Sequence, residues 1–172
     1  MEGGVVSMAV ASKPTLKVAD EVWIAAALLQ REHPDCADFT IEQIVARARH
    51  EGLTEGLRPG VYVCAVQHCV ANRPPNPGRY RMLYETAPGR RRLFREGDAY
   101  HPAREGAKTT PDASHLPPGY TDLLTWYHDW CAAVAAARRR NDPLLTAVGS
   151  GRRLWAEEHA DDYVRRLRQG WE

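Results

Sequence analysis

Residues 72–78, Asn72-Arg73-Pro74-Pro75-Asn76-Pro77-Gly78, constrain this chain more than any other stretch. Pro74, Pro75 and Pro77 lack amide donors and hold φ near about −65°, so the segment can be neither helix nor central strand. Ahead of it, apolar residues recur at helical spacing. Behind it, they alternate with charged ones. A chain divided in this way is α+β and mostly helical, with a helical cluster followed by a hairpin.

Three helices are predicted before the break. In the first, residues 18–31, Val22, Trp23, Ala26, Ala27 and Leu29 fall on one face, and Asp20 and Glu21 occupy the first turn, where the helix dipole favours acids. His33-Pro34 stops it. The second opens at Thr40, an N-cap whose capping box is completed by Gln43, with Ile41, Ile44, Val45 and Ala48 as its inner stripe and Gly52 and Gly56 beyond its end. The third starts with Pro59 as first-turn proline and runs to Ala71, and the spacing of Val63, Val66 and Val70 makes them its core edge. That phase turns Val61, Cys64, Ala65 and His68 outward.

Strands are predicted over residues 79–86 and 91–96, joined by Ala87-Pro88-Gly89-Arg90, with Tyr80, Met82 and Tyr84 alternating against Arg81 and Glu85. Between residues 79 and 96 stand Arg79, Arg81, Arg90, Arg91, Arg92 and Arg95 against Glu85 and Glu96, a local excess of 6 − 2 = +4 in a chain whose net charge is +1. Positive charge gathered on one small element is an electrostatic footprint for a polyanion, since each cation near a phosphate releases counterions. Three helices followed by a basic hairpin is also the order of a winged helix, in which the third helix enters the major groove and the hairpin lies along the phosphates. Arg58, Gln67, His68 and Asn72 are then the polar side chains at the groove. The competing reading is a hairpin with a merely solvated charged face.

Residues 100–119 are rich in proline and read as an ordered-by-contact or flexible linker, with a domain boundary in it, between a head at residues 17–99 and a helical region at residues 120–148; residues 1–16 read as a loose arm. The helix predicted at residues 120–140 carries Leu123, Leu124, Trp126, Tyr127, Trp130, Cys131 and Val134 on a broad apolar face, which packs on the head or on a second copy to give a homodimer. Asp142-Pro143 opens one more short turn, closed by Gly149-Ser150-Gly151. The segment 149–172 has Trp155 as an anchor and Tyr163, Val164, Leu167 and Trp171 on one helical side, with Arg165, Arg166 and Arg168 largely on the other. A helix this short is worth forming only when its stripe is covered, by the chain itself or by a protein partner.

The run from His68 to Tyr84, together with Arg92-Leu93-Phe94-Arg95-Glu96-Gly97-Asp98 and His101-Pro102, resembles a winged-helix-like domain of uncharacterised bacterial proteins over roughly residues 18–130. That resemblance implies a fold and transfers no activity. Gly149-Ser150-Gly151-Arg152-Arg153-Leu154-Trp155, with residues 161–168 and Trp171, resembles the C-terminal segments of small bacterial antitoxins, the partners of PIN-type ribonucleases. It implies a toxin partner whose acidic site Arg165, Arg166 or Arg168 would neutralise.

Other chemistries find little purchase. No apolar run reaches the roughly 20 residues of a membrane span, and the first residues lack the layout of an export signal, so a cytoplasmic location and reduced, buried thiols are expected for Cys36, Cys64, Cys69 and Cys131. His33-x2-Cys36 and Cys64-x3-His68 offer four zinc-type ligands but lack the paired-cysteine knuckle, and no metal or cofactor is expected. Nucleophile-elbow, phosphate-loop, zinc-protease and calcium-loop motifs are missing; Glu157-Glu158 and Asp161-Asp162 are sequence neighbours that point apart on a helix, and Asp98 with His101 lacks a nucleophile. The chain therefore reads as no enzyme, but as a bacterial winged-helix regulator or antitoxin-like repressor that binds double-stranded DNA and holds a protein with its tail. The alternative is an adaptor with the same fold that binds protein alone.

Overall fold

The computed structural model describes residues 16–54, 56, 58–143, 147–148 and 159–169. The readings placed on residues 1–15, on Gly149-Ser150-Gly151, on Trp155 and on Trp171 lie outside them. The chain divides into two compact units, residues 1–128 and 129–172.

The first unit is α+β and is built around α1, Val18–Glu32. Residues 19–28 of this helix are buried on every side, Ile24 and Ala25 included, while Leu29 is only half-buried. The predicted one-sided stripe was too narrow: a run of three alanines, Ala25, Ala26 and Ala27, lets neighbours approach from all directions, as in a helix enclosed by its own domain. Short strand β1, Phe39–Thr40, leads into α2, Ile41–Glu51. Its capping box forms as the sequence requires: the Gln43 amide N–H donates to Thr40 Oγ1 at 3.2 Å, and the Thr40 N–H donates to Gln43 Oε1 at 2.8 Å. Ile41, Ile44 and Ala48 face inward.

Helix α3, Pro59–Val63, continues without interruption into a π turn, Cys64–His68, where the Cys69 N–H reaches back to the Cys64 carbonyl at 3.0 Å. The predicted phase is corrected here. Val61, Cys64, Ala65, Cys69 and Val70 are buried, whereas Tyr62 and Val63 are exposed and Val66 is half-buried. Small side chains at 60, 64 and 65 let the helix press against the start of α1: a Cβ placed on Gly60 would lie 3.3 Å from Val18 Cγ1. The larger Tyr62 and Val63 are turned out.

The proline-bearing segment then folds back over the π turn so closely that a Cβ on Gly78 would come within 2.8 Å of His68 Cβ. Strands β2, Leu83–Ala87, and β3, Arg90–Leu93, complete an antiparallel sheet of order β1-β3-β2. Phe39 faces Arg91 in register, Leu83 faces Leu93, Tyr84 faces Arg92 and Glu85 faces Arg91, with an irregularity between Glu85 and Ala87. Pro88-Gly89 makes the turn, Gly89 at φ +74°. Residues 79–82 and 94–96 are outside the strands, and Met82 and Leu83 are both buried, so the strict alternation expected there fails.

Residues 100–119 are ordered by contact, and the boundary expected in them falls after His128 instead. They form 3₁₀ turns at Pro102–Arg104, Ala113–His115 and Pro118–Tyr120, and the first unit extends past them to His128. Arg104, fully buried, donates to the carbonyls of Arg73 (2.6 Å), His68 (2.8 Å), Tyr80 (2.6 Å) and Gln67 (2.8 Å), tying this stretch to the end of α3. Helix α4, Asp122–Arg140, starts in the first unit with Leu123 and Tyr127 buried. The Tyr127 hydroxyl donates to the Phe94 carbonyl at 2.5 Å and its ring meets Trp23 edge-on at 5.6 Å. The second unit holds the rest of α4 and α5, Ala160–Gln169. Among the described residues no helix is long and apolar enough to cross a membrane.

Candidate nucleic-acid interface

The hairpin arginines do not form a phosphate-facing row. Arg91 is 1% exposed. Its Nη1 donates to Glu85 Oε1 at 2.9 Å, its Nε to the Ala65 carbonyl at 3.1 Å and its Nη2 to the Val66 carbonyl at 3.2 Å. Glu85 also receives both arms of Arg73, at 2.6 and 2.7 Å, and this contact chiefly holds its carboxyl below the usual range. Arg92, likewise buried, chelates Asp98 at 2.6 and 2.8 Å and lies over the Tyr84 ring at 4.4 Å. Arg90 is paired with Asp38, whose carboxyl is lowered by that contact and by the Thr86 hydroxyl. Arg81 stacks on Tyr100 at 4.2 Å and donates to the Ala107 carbonyl at 3.2 Å. Arg95 is half-buried with its amide on Asp98, and Arg79 is exposed.

The groove-facing set fares similarly. Arg58 is bound to the buried Glu21 at 2.6 Å and to the Leu16 carbonyl at 3.0 Å. Gln67 donates to the Pro74 carbonyl at 2.6 Å. Asn72 exchanges two hydrogen bonds with the Glu85 main chain, at 2.9 and 3.0 Å. His68 is half-buried under Gly78. Space lowers the +4 excess to 4 − 2 = +2, because Asp38 and Asp98, which lie outside the counted window, pair with Arg90 and Arg92, while Glu85, already counted, is shared between Arg91 and Arg73. Arg91 and Arg92 in particular are corrected from phosphate contacts to interior cations.

No family model, curated protein or solved structure matches this chain. The winged-helix and antitoxin resemblances consequently rest on the sequence stretches that suggested them.

What the sequence reading missed is the outer face of α3, where Tyr62 is 53% and Val63 43% exposed. The signal was present in the absence of any Lys, Arg, Asp or Glu from residue 59 to residue 72. In the second unit, α5 presents Val164 at 43% and Leu167 at 47% exposure, with Tyr163 half-buried and Arg166 at 5.3 Å from its ring. Arg165 is paired with Asp162 at 2.8 Å, and Arg168 is exposed.

Of the zinc-type ligands, Cys64 is buried and Cys36 exposed, and among the described residues no group of three His, Cys, Asp or Glu side chains is placed to hold a metal. None of the four cysteines is in a disulfide, and the exposed Cys36 and half-exposed Cys131 depart from the expected burial. Asp98 and His101 do not pair: Asp98 serves Arg92, and His101 Nδ1 accepts the Ala103 N–H at 3.2 Å to cap a 3₁₀ turn. An open depression of about 120 Å³ between Glu21, Ala48, Arg49, Gly52, Leu53, Thr54 and Gly56 is well below the roughly 300 Å³ at which small-molecule sites begin.

Proposed function

We propose that this chain is a non-catalytic adaptor with a winged-helix head, which grips protein rather than DNA through the outer face of α3 and carries a second protein-binding stripe on α5. The order α1-β1-α2-α3-β2-β3 and the sheet order β1-β3-β2 support the winged-helix reading. One observation carries the functional half: the exposed large apolar side chains of the described helices sit on α3 (Tyr62, Val63) and on α5 (Val164, Leu167). A helix that reads a duplex needs cations and amides on that face. Here the cation at the N-terminus of α3, Arg58, already neutralises Glu21. An exposed aromatic beside a branched aliphatic residue is instead what protein interfaces use as an anchor.

Two measurements test this. Binding of a labelled DNA duplex by the full chain, followed from 50 to 200 mM salt, is expected to be weak. Tight binding with a steep salt slope that Arg79→Ala and Arg90→Ala flatten overturns the adaptor reading in favour of a DNA-bound regulator. A photoreactive residue at position 62 is expected to give a discrete protein adduct in cells that Val63→Glu abolishes. The absence of any adduct from position 62 counts equally against it.

A further inference from the structure

The π turn does something an α-helix cannot do with the same residues. In an α-helix, positions five apart are rotated by about 140° and face different ways; in the π turn the Cys69 N–H closes on the Cys64 carbonyl at 3.0 Å, so both side chains leave the same face. A main-chain hydrogen bond of that length holds the two Cα atoms about 6 Å apart, inside the window of roughly 4.4–6.8 Å that a disulfide requires. We infer that Cys64 and Cys69 are a thiol modification site that closes to an intramolecular disulfide by exchange with a low-molecular-weight disulfide. This inference is independent of the partner assignment.

The surroundings assign each sulfur its role. The two thiols adjoin, and this contact chiefly lowers the Cys64 thiol, with help from Arg58, while desolvation and Glu21 oppose it. The same contact, together with complete burial and the field of Asp20, pushes Cys69 well up, against Arg104. Cys64, buried but beside the exposed Val63 at the surface turn, is therefore the attacking sulfur, and Cys69, behind it, is the resolving one. The Cys64 thiolate attacks one sulfur of the external disulfide, forming a mixed disulfide and releasing one thiolate. Cys69 then gives up its proton and attacks the Cys64 sulfur, releasing the second external thiol. Two protein thiols are oxidised, and one external disulfide is reduced to two thiols.

The test uses the full chain with Cys36→Ser and Cys131→Ser, so that only the pair reports. The folded protein is incubated with oxidised glutathione, treated with iodoacetamide and weighed intact. The expected product has lost two hydrogens, takes up no alkyl group and takes up two after reduction. Adding Cys69→Ser should arrest the reaction with one glutathione on Cys64, and adding Cys64→Ser should leave Cys69 unmodified. Two alkylatable thiols after oxidation, or a stable glutathione adduct when both cysteines are present, overturns the inference. Because the decisive reading is made with the native pair, it does not depend on the serine variants of that pair folding.

Discussion

Glu85→Gln is the perturbation that most directly probes where the hairpin charge goes. In the native fold Glu85 neutralises Arg91, whose guanidinium is 1% exposed, and Arg73, which is 35% exposed. The glutamine keeps the shape but leaves Arg91 a buried cation held only by carbonyls. Breaking a buried ion pair by removing one member costs about 3–5 kcal/mol; because Glu85 is itself 18% exposed, the lower end, about 3 kcal/mol, is expected. Arg73 adds little, since water can solvate it. With a urea slope of about 2 kcal/mol per M, the unfolding midpoint followed by circular dichroism should fall by about 1.5 M. The double variant Glu85→Gln with Arg91→Met should recover most of this loss, because removing both charges is far cheaper than orphaning one. The pH dependence has a definite sign. The Arg73 contact holds the Glu85 carboxyl below its ordinary value of 4.5, so the stability it brings is complete above that value and is lost as pH falls through the lower, folded-state value. The wild type should therefore lose stability on acidification more steeply than Glu85→Gln. A midpoint shift under about 0.3 M would refute the reasoning, for it would mean that Arg91 does not depend on Glu85 and is available to an outside anion.

Two further outcomes follow from individual contacts. Asp20 is buried with Oδ2 lacking a partner, and desolvation raises its carboxyl above the ordinary 3.8, so the native state holds its proton where the unfolded chain has lost it; stability should fall as pH rises from about 4, and Asp20→Asn should flatten that fall and stabilise the protein at neutral pH, as read by thermal unfolding. Gly78→Ala places a methyl 2.8 Å from His68 Cβ and should cost about 1–3 kcal/mol in urea unfolding, with the loss partly restored by His68→Gly, which removes that Cβ.

Local chemistry was legible without a structure. Thr40 and Gln43 cap α2 because both hydrogen bonds of the box are closed within three residues, and Pro59 opens α3 because a first-turn proline forfeits no helical bond. The three prolines at 74, 75 and 77 bar regular structure for reasons internal to each residue, and the Pro88-Gly89 turn follows from the two backbones it contains. Each of these outcomes is settled over a few consecutive residues, so the first three helices and the β2–β3 hairpin can be read along the chain, whereas β1, which exists through its pairing with β3, cannot.

The functional surface was not legible in that way. Whether an arginine meets solvent or a carboxylate depends on partners far along the chain: Arg90 finds Asp38 52 residues away, Arg58 finds Glu21 37 residues away, and Arg104 gathers carbonyls from residues 67 to 80. The phase of α3 was likewise decided by the close approach of Gly60, Cys64 and Ala65 to the alanine-rich α1, which inserts a π turn and turns Tyr62 and Val63 outward. Propensities and caps act over one turn of chain, whereas desolvation and charge pairing act through space. The helices of the head and the hairpin were therefore open to inference from residue order, and the face each one shows to a partner was set only when they packed.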